Sequence, residues 1–139
     1  MKKFWIVAAS KDHIKIGEKN GFTQANHGKP NALKKMNKDD MIIFYSSKEK
    51  FDEDIKYQKF TAIGKVADDE IYQYEMDDNF KPFRRKVNYF KSVEAPIQPI
   101  IEDLSFIKNK KSWGYPFRFG VLEIHENDFK LIEKKMLNK

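Results

Sequence analysis

The chain has 139 residues, a formal net charge of +6 at pH 7 and a sequence pI of about 9.3. The absence of cysteine excludes a disulfide scaffold, thiol catalysis and cysteine-ligated zinc. No apolar run approaches the roughly 20 residues of a membrane helix, and the apolar run near the N-terminus is too short for a signal peptide, so we expect one cytoplasmic domain over residues 1–139 with no membrane partner.

The first third of the chain predicts a strand, a helix and a loop. Residues 4–9 combine aromatic with β-branched side chains, as a buried strand does. Ser10 is the expected N-cap of a short helix that Gly17 and Gly21 end. The following segment, GFTQANHGKP, is rich in turn formers and amides and predicts a loop, after which Pro30 opens a second short helix.

Further strands are predicted over residues 41–46, 59–66, 83–90 and 117–124. Residues 67–70 predict a turn between strands, Pro99 precedes a short helix, and Asn127 is the expected cap of a closing amphipathic helix. Because long helices do not separate the strands, the pattern does not fit a parallel α/β sheet. It favours an α+β fold, a small mixed barrel of about five to six strands with short peripheral helices.

No arrangement of residues in the sequence predicts catalysis or a bound metal. His13, His27 and His125 lack the spacing of zinc ligands. The sequence contains neither a G-x-S-x-G elbow nor a glycine-rich phosphate loop. The acidic runs at 52–54 and 68–70 fit solvated turns. We therefore expect no catalytic residue, no metal and no cofactor.

The stretch KKSWGYPFRFG, residues 110–120, places aromatic rings among basic side chains. Pro116 stiffens this segment, so Trp113 would serve as a platform on which a nucleobase stacks. Arg118 and the basic run at 84–86 would then bind phosphate or a base edge. The alternative is that Trp113 fills the core of the barrel and the arginines lie on its rim.

Polar loop residues after the first strand add to the binding interpretation. Ser10, Gln24, Asn26 and Asn31 lie where a rigid barrel would position binding loops. Amide side chains read base edges through paired donors and acceptors. The positive net charge also suits a polyanionic partner, although a lysine-rich composition alone would produce it.

Several segments taken in order resemble the EVE domain family, a PUA-like group of small prokaryotic proteins: FWIVAASKDH, GFTQANHGKPNALKKMNKDDMIIFYS, KFTAIGKV, FKPFRRKVNYF, PIQPIIEDLSFI, WGYPFRFG and DFKLI. The resemblance runs from Phe4 to about Met136. Its most specific blocks contain DDMIIFYS and WGYPFRFG. Asp39 departs from the family pattern, which has glycine before the aspartate of this turn.

The resemblance implies a PUA-like barrel related to YTH domains, which hold a methylated adenine in an aromatic cage. EVE domains are thought to read modified bases in DNA, often beside restriction-type partner proteins. Transferred to this chain, the pocket lies near the loop 21–27, with arginines beside it. The side chains expected to contact the nucleic acid are polar, basic or aromatic: Ser10, Gln24, Asn26, His27, Tyr45, Ser46, Arg84, Arg85, Trp113, Phe117 and Arg118.

The expected function is therefore non-catalytic binding of DNA or RNA that carries a modified base. A methylated or hydroxymethylated cytosine or adenine would be flipped out of its stack into an aromatic pocket. Two alternatives stay open. An RNA-binding PUA-like module would differ in its contact with the 2′-hydroxyl. A small hydrolase of modified nucleosides, similar to ASCH domains, would use Lys65 or Glu94 with Thr61.

Overall fold

The computed structural model describes residues 2–25 and 28–137, in which a mixed sheet carries one helix on each face. The strands are β1 (Phe4–Ala8), β2 (Phe22–Thr23), β3 (Met41–Lys48), β4 (Lys56–Gln73), β5 (Phe83–Tyr89), β6 (Ala95–Pro96) and β7 (Val121–Ile124). The helices are α1 (Lys11–Asn20) and α2 (Glu126–Leu137). Short 3₁₀ turns span Leu33–Lys35, Gln98–Asp103, Lys110–Ser112 and Tyr115–Phe119.

The sheet follows the order β2-β5-β4-β3-β1-β7, and β6 pairs with β4. β1 and β3 run parallel, whereas the other pairs are antiparallel. Among the described strands, β2 and β7 do not pair, so the sheet is not closed. The mixed α+β class is confirmed. The sheet has seven strands because it includes β2 and β6, which are two residues each and too short for a sequence pattern.

Two apolar clusters cover the two faces of the sheet. Since alternate residues of a strand point to opposite faces, Ile6 and Ile43 join one cluster while Val7 and Phe44 join the other. The first cluster, the α2-side core, includes the α2 residues Phe129, Ile132 and Met136. The second, the α1-side core, includes Ile14 of α1.

The predicted turn at residues 67–70 is wrong, because β4 continues through it from Lys56 to Gln73. The pairing of β4 with β5 shifts register between Val66 and Ile71. The polar run therefore forms a bulge inside one long strand, and the residues of a bulge are left unpaired in the ladder.

Two glycines set the position of α1 against β2. Gly21 ends the helix in the left-handed conformation at φ 76°, and its N–H donates to the Gly17 carbonyl at 2.7 Å. The sequence predicted that Gly17 helps to end the helix, but Gly17 lies inside it. A Cβ at Gly17 would come within 2.4 Å of the Phe22 carbonyl oxygen. Glycine at this position therefore allows the helix to lie directly on β2.

Asp39 adopts φ 73°, a left-handed conformation that glycine accepts more readily than aspartate. Its N–H donates to the Val66 carbonyl at 2.9 Å, which fixes the turn before β3. The departure of this chain from the family pattern therefore falls at a position where the backbone favours glycine.

The C-terminal elements begin at other residues than predicted. Tyr115–Phe119 forms a 3₁₀ turn, which shortens the last strand to Val121–Ile124. α2 begins at Glu126, so Asn127 lies in its first turn and is not its cap. Within residues 2–25 and 28–137, no helix has the length and apolar character needed to cross a membrane.

Candidate functional site

A cavity of about 620 Å³ opens between α1, β2 and the 3₁₀ turn Tyr115–Phe119. Most of its wall is apolar, with contributions from Val7, Ile14, Phe22, Phe44, Tyr89 and Phe117. Polar side chains enter the wall at separate points: Ser10, His13, Thr23, Gln24, Arg84 and Arg118. An apolar cavity of this volume with a few polar groups is typical of a small-ligand site.

Ser10 lies at the N-cap of α1, where β1 ends, and is 6% exposed. Its hydroxyl makes no capping bond to the backbone. Instead Oγ donates to Oδ1 of Asp12 at 2.5 Å, and the same oxygen accepts the His13 N–H at 2.8 Å. Burial opposes the charge on Asp12, but these hydrogen bonds outweigh it and lower the pKa of the carboxyl. Asp12 is therefore ionised at neutral pH, and the proton of Ser10 is committed to it.

Arg84 of β5 also lines the cavity, and its guanidinium is held between two aromatic rings. Its guanidinium carbon lies 3.8 Å from the centroid of the Phe22 ring and 4.1 Å from that of Tyr74. Its Nε donates to Oε1 of Gln24 at 2.6 Å. Cation–π contacts on both faces restrain the guanidinium plane.

The positive charge of Arg84 is not neutralised by the rest of the described protein. The residue is 9% exposed, and among residues 2–25 and 28–137 no carboxylate forms an ion pair with it. Its hydrogen-bonded partner, Gln24, is neutral. A largely buried cation beside a cavity favours an anionic group on whatever occupies that cavity.

Aromatic rings form the floor of the cavity. Phe44 and Tyr89 stack with their centroids 5.3 Å apart, at an interplanar angle of 30°. The Tyr89 hydroxyl donates to the Phe22 carbonyl at 2.7 Å. Burial raises the pKa of Tyr89 far above its usual value, so the ring stays neutral. These rings offer flat apolar surface with their polar edges already satisfied.

The rim of the cavity exposes large apolar side chains. Ile16 is 54%, Phe51 52% and Met76 55% exposed. The ring of Phe51 stacks on His13 with a centroid distance of 4.9 Å. A cluster of exposed apolar side chains at a cavity mouth is more typical of a binding surface than of a solvated face.

The structure brings five of the predicted site residues to this one cavity: Ser10, Gln24, Arg84, Phe117 and Arg118. Arg118 is exposed and lies 5.9 Å from the centroid of the Tyr115 ring. Asn26 and His27 lie outside the described residues. Whether any of these side chains contacts a ligand stays a prediction.

Tyr45 and Ser46 do not line the cavity. The Tyr45 ring stacks behind Phe117 at 4.1 Å and is 1% exposed, and its hydroxyl has no partner among the described residues. Ser46 is fully buried and shares a hydrogen bond of 3.0 Å with Thr61. Their neighbour Phe44 lines the cavity instead, because strand alternation directs it to the α1 side.

Arg85 has a structural environment and does not line the cavity. It is 2% exposed, and Nη1 donates to the carbonyl oxygens of Leu33 and Met36 at 2.7 Å each. Nη2 donates to the Asp68 carbonyl at 2.6 Å. Arg85 therefore ties the bulge of β4 to the segment before β3, because both of its terminal nitrogens donate to backbone carbonyls.

The structure does not bring Trp113 to this cavity. The side chain is half-buried and packs against the α2-side core without being part of it. The cause is local: the successive 3₁₀ turns Lys110–Ser112 and Tyr115–Phe119 place Phe117 at the cavity wall. The indole predicted to stack on a base is thus not part of the lining of the cavity that five other predicted residues share.

Sequence reasoning missed the rings that form the cavity, Phe22, Phe44 and Tyr89. Phe44 belongs to the uninterrupted apolar run MIIFYS. Because apolar and polar residues do not alternate in this run, the sequence does not show which side chains face a cavity. Phe22 belongs to a strand of two residues inside the predicted loop. Tyr89 could have been found, because it lies in the predicted strand 83–90, which contains the basic run 84–86 expected to bind nucleic acid.

The residues considered for hydrolysis do not assemble at the cavity. Thr61 is buried against Ser46, and Lys65 lies 3.9 Å from a carboxylate oxygen of Asp39. Glu94 accepts a short hydrogen bond from the Tyr57 hydroxyl and lies 3.4 Å from Nζ of Lys11 and 3.7 Å from Nζ of Lys15. Within residues 2–25 and 28–137, no three histidine, aspartate or glutamate side chains are grouped to hold a metal ion.

Comparison with solved structures agrees with the fold. A hypothetical protein from Leishmania major superposes with a TM-score of 0.60 at 12% identity, covering 96% of this chain and 94% of the other. Rpa0253 from Rhodopseudomonas palustris superposes with a TM-score of 0.55 at 17% identity, covering 96% and 92% of the two chains.

Sequence comparison gives stronger similarity. The "UPF0310 protein in gntR 5′region" of Bacillus licheniformis is 53% identical over 136 residues, which cover 98% of this chain and 92% of the relative. A UPF0310 protein of Mycolicibacterium gilvum is 50% identical over 132 residues, covering 95% and 94%. The profile of the EVE domain matches residues 3–135. The chain therefore belongs to the EVE domain family.

Proposed function

We infer that the chain binds DNA or RNA by taking a single modified nucleobase into the 620 Å³ cavity, without catalysing a reaction. The observation that carries this inference is the unneutralised guanidinium of Arg84 beside a floor of stacked rings. A nucleotide combines the two matching features, a flat aromatic base and an adjacent anionic phosphate.

The magnitudes are compatible with this mode of binding. Extruding a base from its stack costs a few kcal/mol. Stacking on an aromatic side chain contributes about 1–3 kcal/mol per base, and a neutralised phosphate adds salt-dependent affinity. The cavity wall offers Phe44, Tyr89 and Phe117 for the ring and Arg84 for the phosphate. These terms together offset the cost of extrusion.

The apolar wall also accounts for recognition of a modification. A methyl or hydroxymethyl group on cytosine or adenine would be buried against side chains such as Val7 and Ile14. Burial of one carbon group contributes roughly 0.8 kcal/mol, about fourfold in affinity. A larger preference requires that the unmodified base leave a void or an unpaired polar group in the cavity.

A restriction-type partner protein completes the proposal. This chain would bind the modified base without cleaving the nucleic acid, and would bring a nuclease on another chain to that site. Hydrolysis by this chain is not favoured, because Thr61, Lys65 and Glu94 do not line the cavity.

The test is a fluorescence anisotropy titration with labelled oligonucleotides of one sequence. Duplexes carry cytosine, 5-methylcytosine, 5-hydroxymethylcytosine, adenine or N6-methyladenine at one central position, and each has an RNA counterpart. We expect one modified base to bind at least about fourfold more tightly than its unmodified form. The DNA and RNA series show whether a 2′-hydroxyl contributes.

A cavity-filling variant links that preference to the cavity. Ala9 lines the wall, so Ala9→Leu should occupy the space of the base and abolish the preference. Ala67 is also half-buried but lies in the β4 bulge away from the cavity, so Ala67→Leu is the matched control. Equal binding of all the oligonucleotides, or an unchanged preference in Ala9→Leu, would show that the cavity is not the binding site.

A further inference from the structure

The side-chain amide of Gln24 has a chemically defined orientation. Its Oε1 lies 2.6 Å from Nε of Arg84. A guanidinium only donates hydrogen bonds, so the amide atom facing it must be the oxygen. Oxygen and nitrogen of an amide are otherwise hard to tell apart. Here the amino end, Nε2, is directed away from Arg84 by necessity.

Arg84 also prevents the amide from turning over. The guanidinium is fixed between the rings of Phe22 and Tyr74, at 3.8 and 4.1 Å. A flipped amide would place its NH₂ group against a cation that has no acceptor. Gln24 therefore adds a hydrogen-bond donor to the cavity wall that already carries the cation.

Ser10, in the same lining, has the opposite hydrogen-bonding polarity. Its hydroxyl proton is committed to the Asp12 carboxylate, which also accepts the N–H of His13. The lone pairs of Oγ that remain can only accept a hydrogen bond. The cavity thus has a donor wall at Gln24 and Arg84 and an acceptor at Ser10, which are part of one lining.

We propose, as an extension of the function inferred above, that Gln24 determines which class of base the cavity takes, selecting the amino-bearing edge. Cytosine and adenine each present an exocyclic amino donor next to an unprotonated ring nitrogen that accepts. Thymine and guanine present the reverse order, a carbonyl acceptor next to a ring N–H donor. The ring nitrogen of the amino-bearing edge accepts a hydrogen bond from Gln24 Nε2. The keto-bearing edge sets donor against donor at Gln24.

The sharpest comparison is 5-methylcytosine against thymine. These bases share the ring and the 5-methyl group, and differ in the amino or keto group and in the proton on the ring nitrogen. Each is placed in a short single strand whose other positions are abasic, so that extrusion costs and phosphate contacts are equal. We expect wild-type protein to bind the 5-methylcytosine strand about tenfold more tightly, the effect of one base-edge recognition contact.

Gln24→Glu tests the residue itself, because it is close to isosteric. One carboxylate oxygen still accepts from Arg84 Nε, and the other presents an acceptor to the base in place of the donor. The ratio of the two affinities should therefore fall to about one or reverse toward thymine. Gln98 lies on an exposed 3₁₀ turn outside the cavity, so Gln98→Glu adds the same charge as a control and should keep the tenfold ratio.

The outcomes separate this inference from the function on which it rests. Equal binding of the two strands by wild-type protein, or an unchanged ratio in Gln24→Glu, overturns the role of Gln24 and leaves base binding intact. Binding of neither strand, with no preference for any modified base in the oligonucleotide series, overturns the function itself. Gln24→Met, which keeps the shape of the side chain but not its hydrogen bonds, should also lose the discrimination while circular dichroism shows a folded protein.

Discussion

Replacing Arg84 with methionine removes the cation at the cavity wall and keeps an apolar side chain between the two rings. In the wild type the guanidinium is 9% exposed and lies 3.8 and 4.1 Å from the ring centroids of Phe22 and Tyr74. If the phosphate of the bound nucleotide is its counter-ion, the variant neutralises one phosphate fewer. Binding then releases fewer condensed cations, so the affinity of the variant should depend less steeply on salt.

The size of this effect follows from one lost phosphate contact. The slope of log K against log salt is about −0.9 per neutralised phosphate for a duplex and about −0.7 for a single strand. The line for Arg84→Met should be shallower by one such increment. Between about 50 and about 200 mM salt, the advantage of wild type over variant on duplex DNA should therefore shrink about 3.5-fold.

The assay is an anisotropy titration of one modified duplex at four or more salt concentrations. Lys130 is an exposed cation of α2 that pairs with Glu126 at 3.4 Å and does not line the cavity, so Lys130→Met is the control. We expect its line to be parallel to that of the wild type. An Arg84→Met line parallel to the wild type, from a variant folded by circular dichroism, would refute the assignment of Arg84 to the phosphate.

Two further predictions concern the scaffold. Asp39→Gly should raise the free energy of unfolding by about 0.5–1 kcal/mol in a guanidinium titration, because φ is 73° there; a decrease would contradict the backbone assignment. At Glu94, burial opposes ionisation, but the Tyr57 hydrogen bond and the cations of Lys11 and Lys15 lower the pKa below its usual 4.5. The stability this group adds is therefore complete above about pH 4.5 and lost as pH falls through the folded-state pKa. Glu94→Gln should flatten the acid limb of the stability curve, and an unchanged acid limb would contradict the prediction.

The sequence predicted much of the fold because its strong patterns are local. β1, β3, the first part of β4, β5 and both helices follow from apolar runs, alternation and turn residues. Residues 67–70 were misread, because a polar run between two apolar ones has the same composition in a turn as in a bulge. Only the pairing of β4 with β5, which is a long-range property, distinguishes the two.

The candidate site was predicted in part. Gln24 and Arg84 were expected at one site from their residue types, and the structure places them 2.6 Å apart. The neighbours Arg84 and Arg85 could not be distinguished by sequence, since only the fold shows that both terminal nitrogens of Arg85 donate to backbone carbonyls. The sequence interpretation relied most on Trp113 as the stacking ring. In the structure, the 3₁₀ turn Tyr115–Phe119 places Phe117, and not Trp113, in the cavity lining.

The most direct test of the central claim is a ¹H–¹⁵N correlation titration of the labelled protein with a single strand carrying one modified base. The account predicts that the side-chain NH₂ of Gln24 and Nε–H of Arg84 shift together, while the indole N–H of Trp113 stays in place. Shifts centred on Trp113, with the Gln24 and Arg84 signals unchanged, would show that nucleic acid binds elsewhere and would contradict the account.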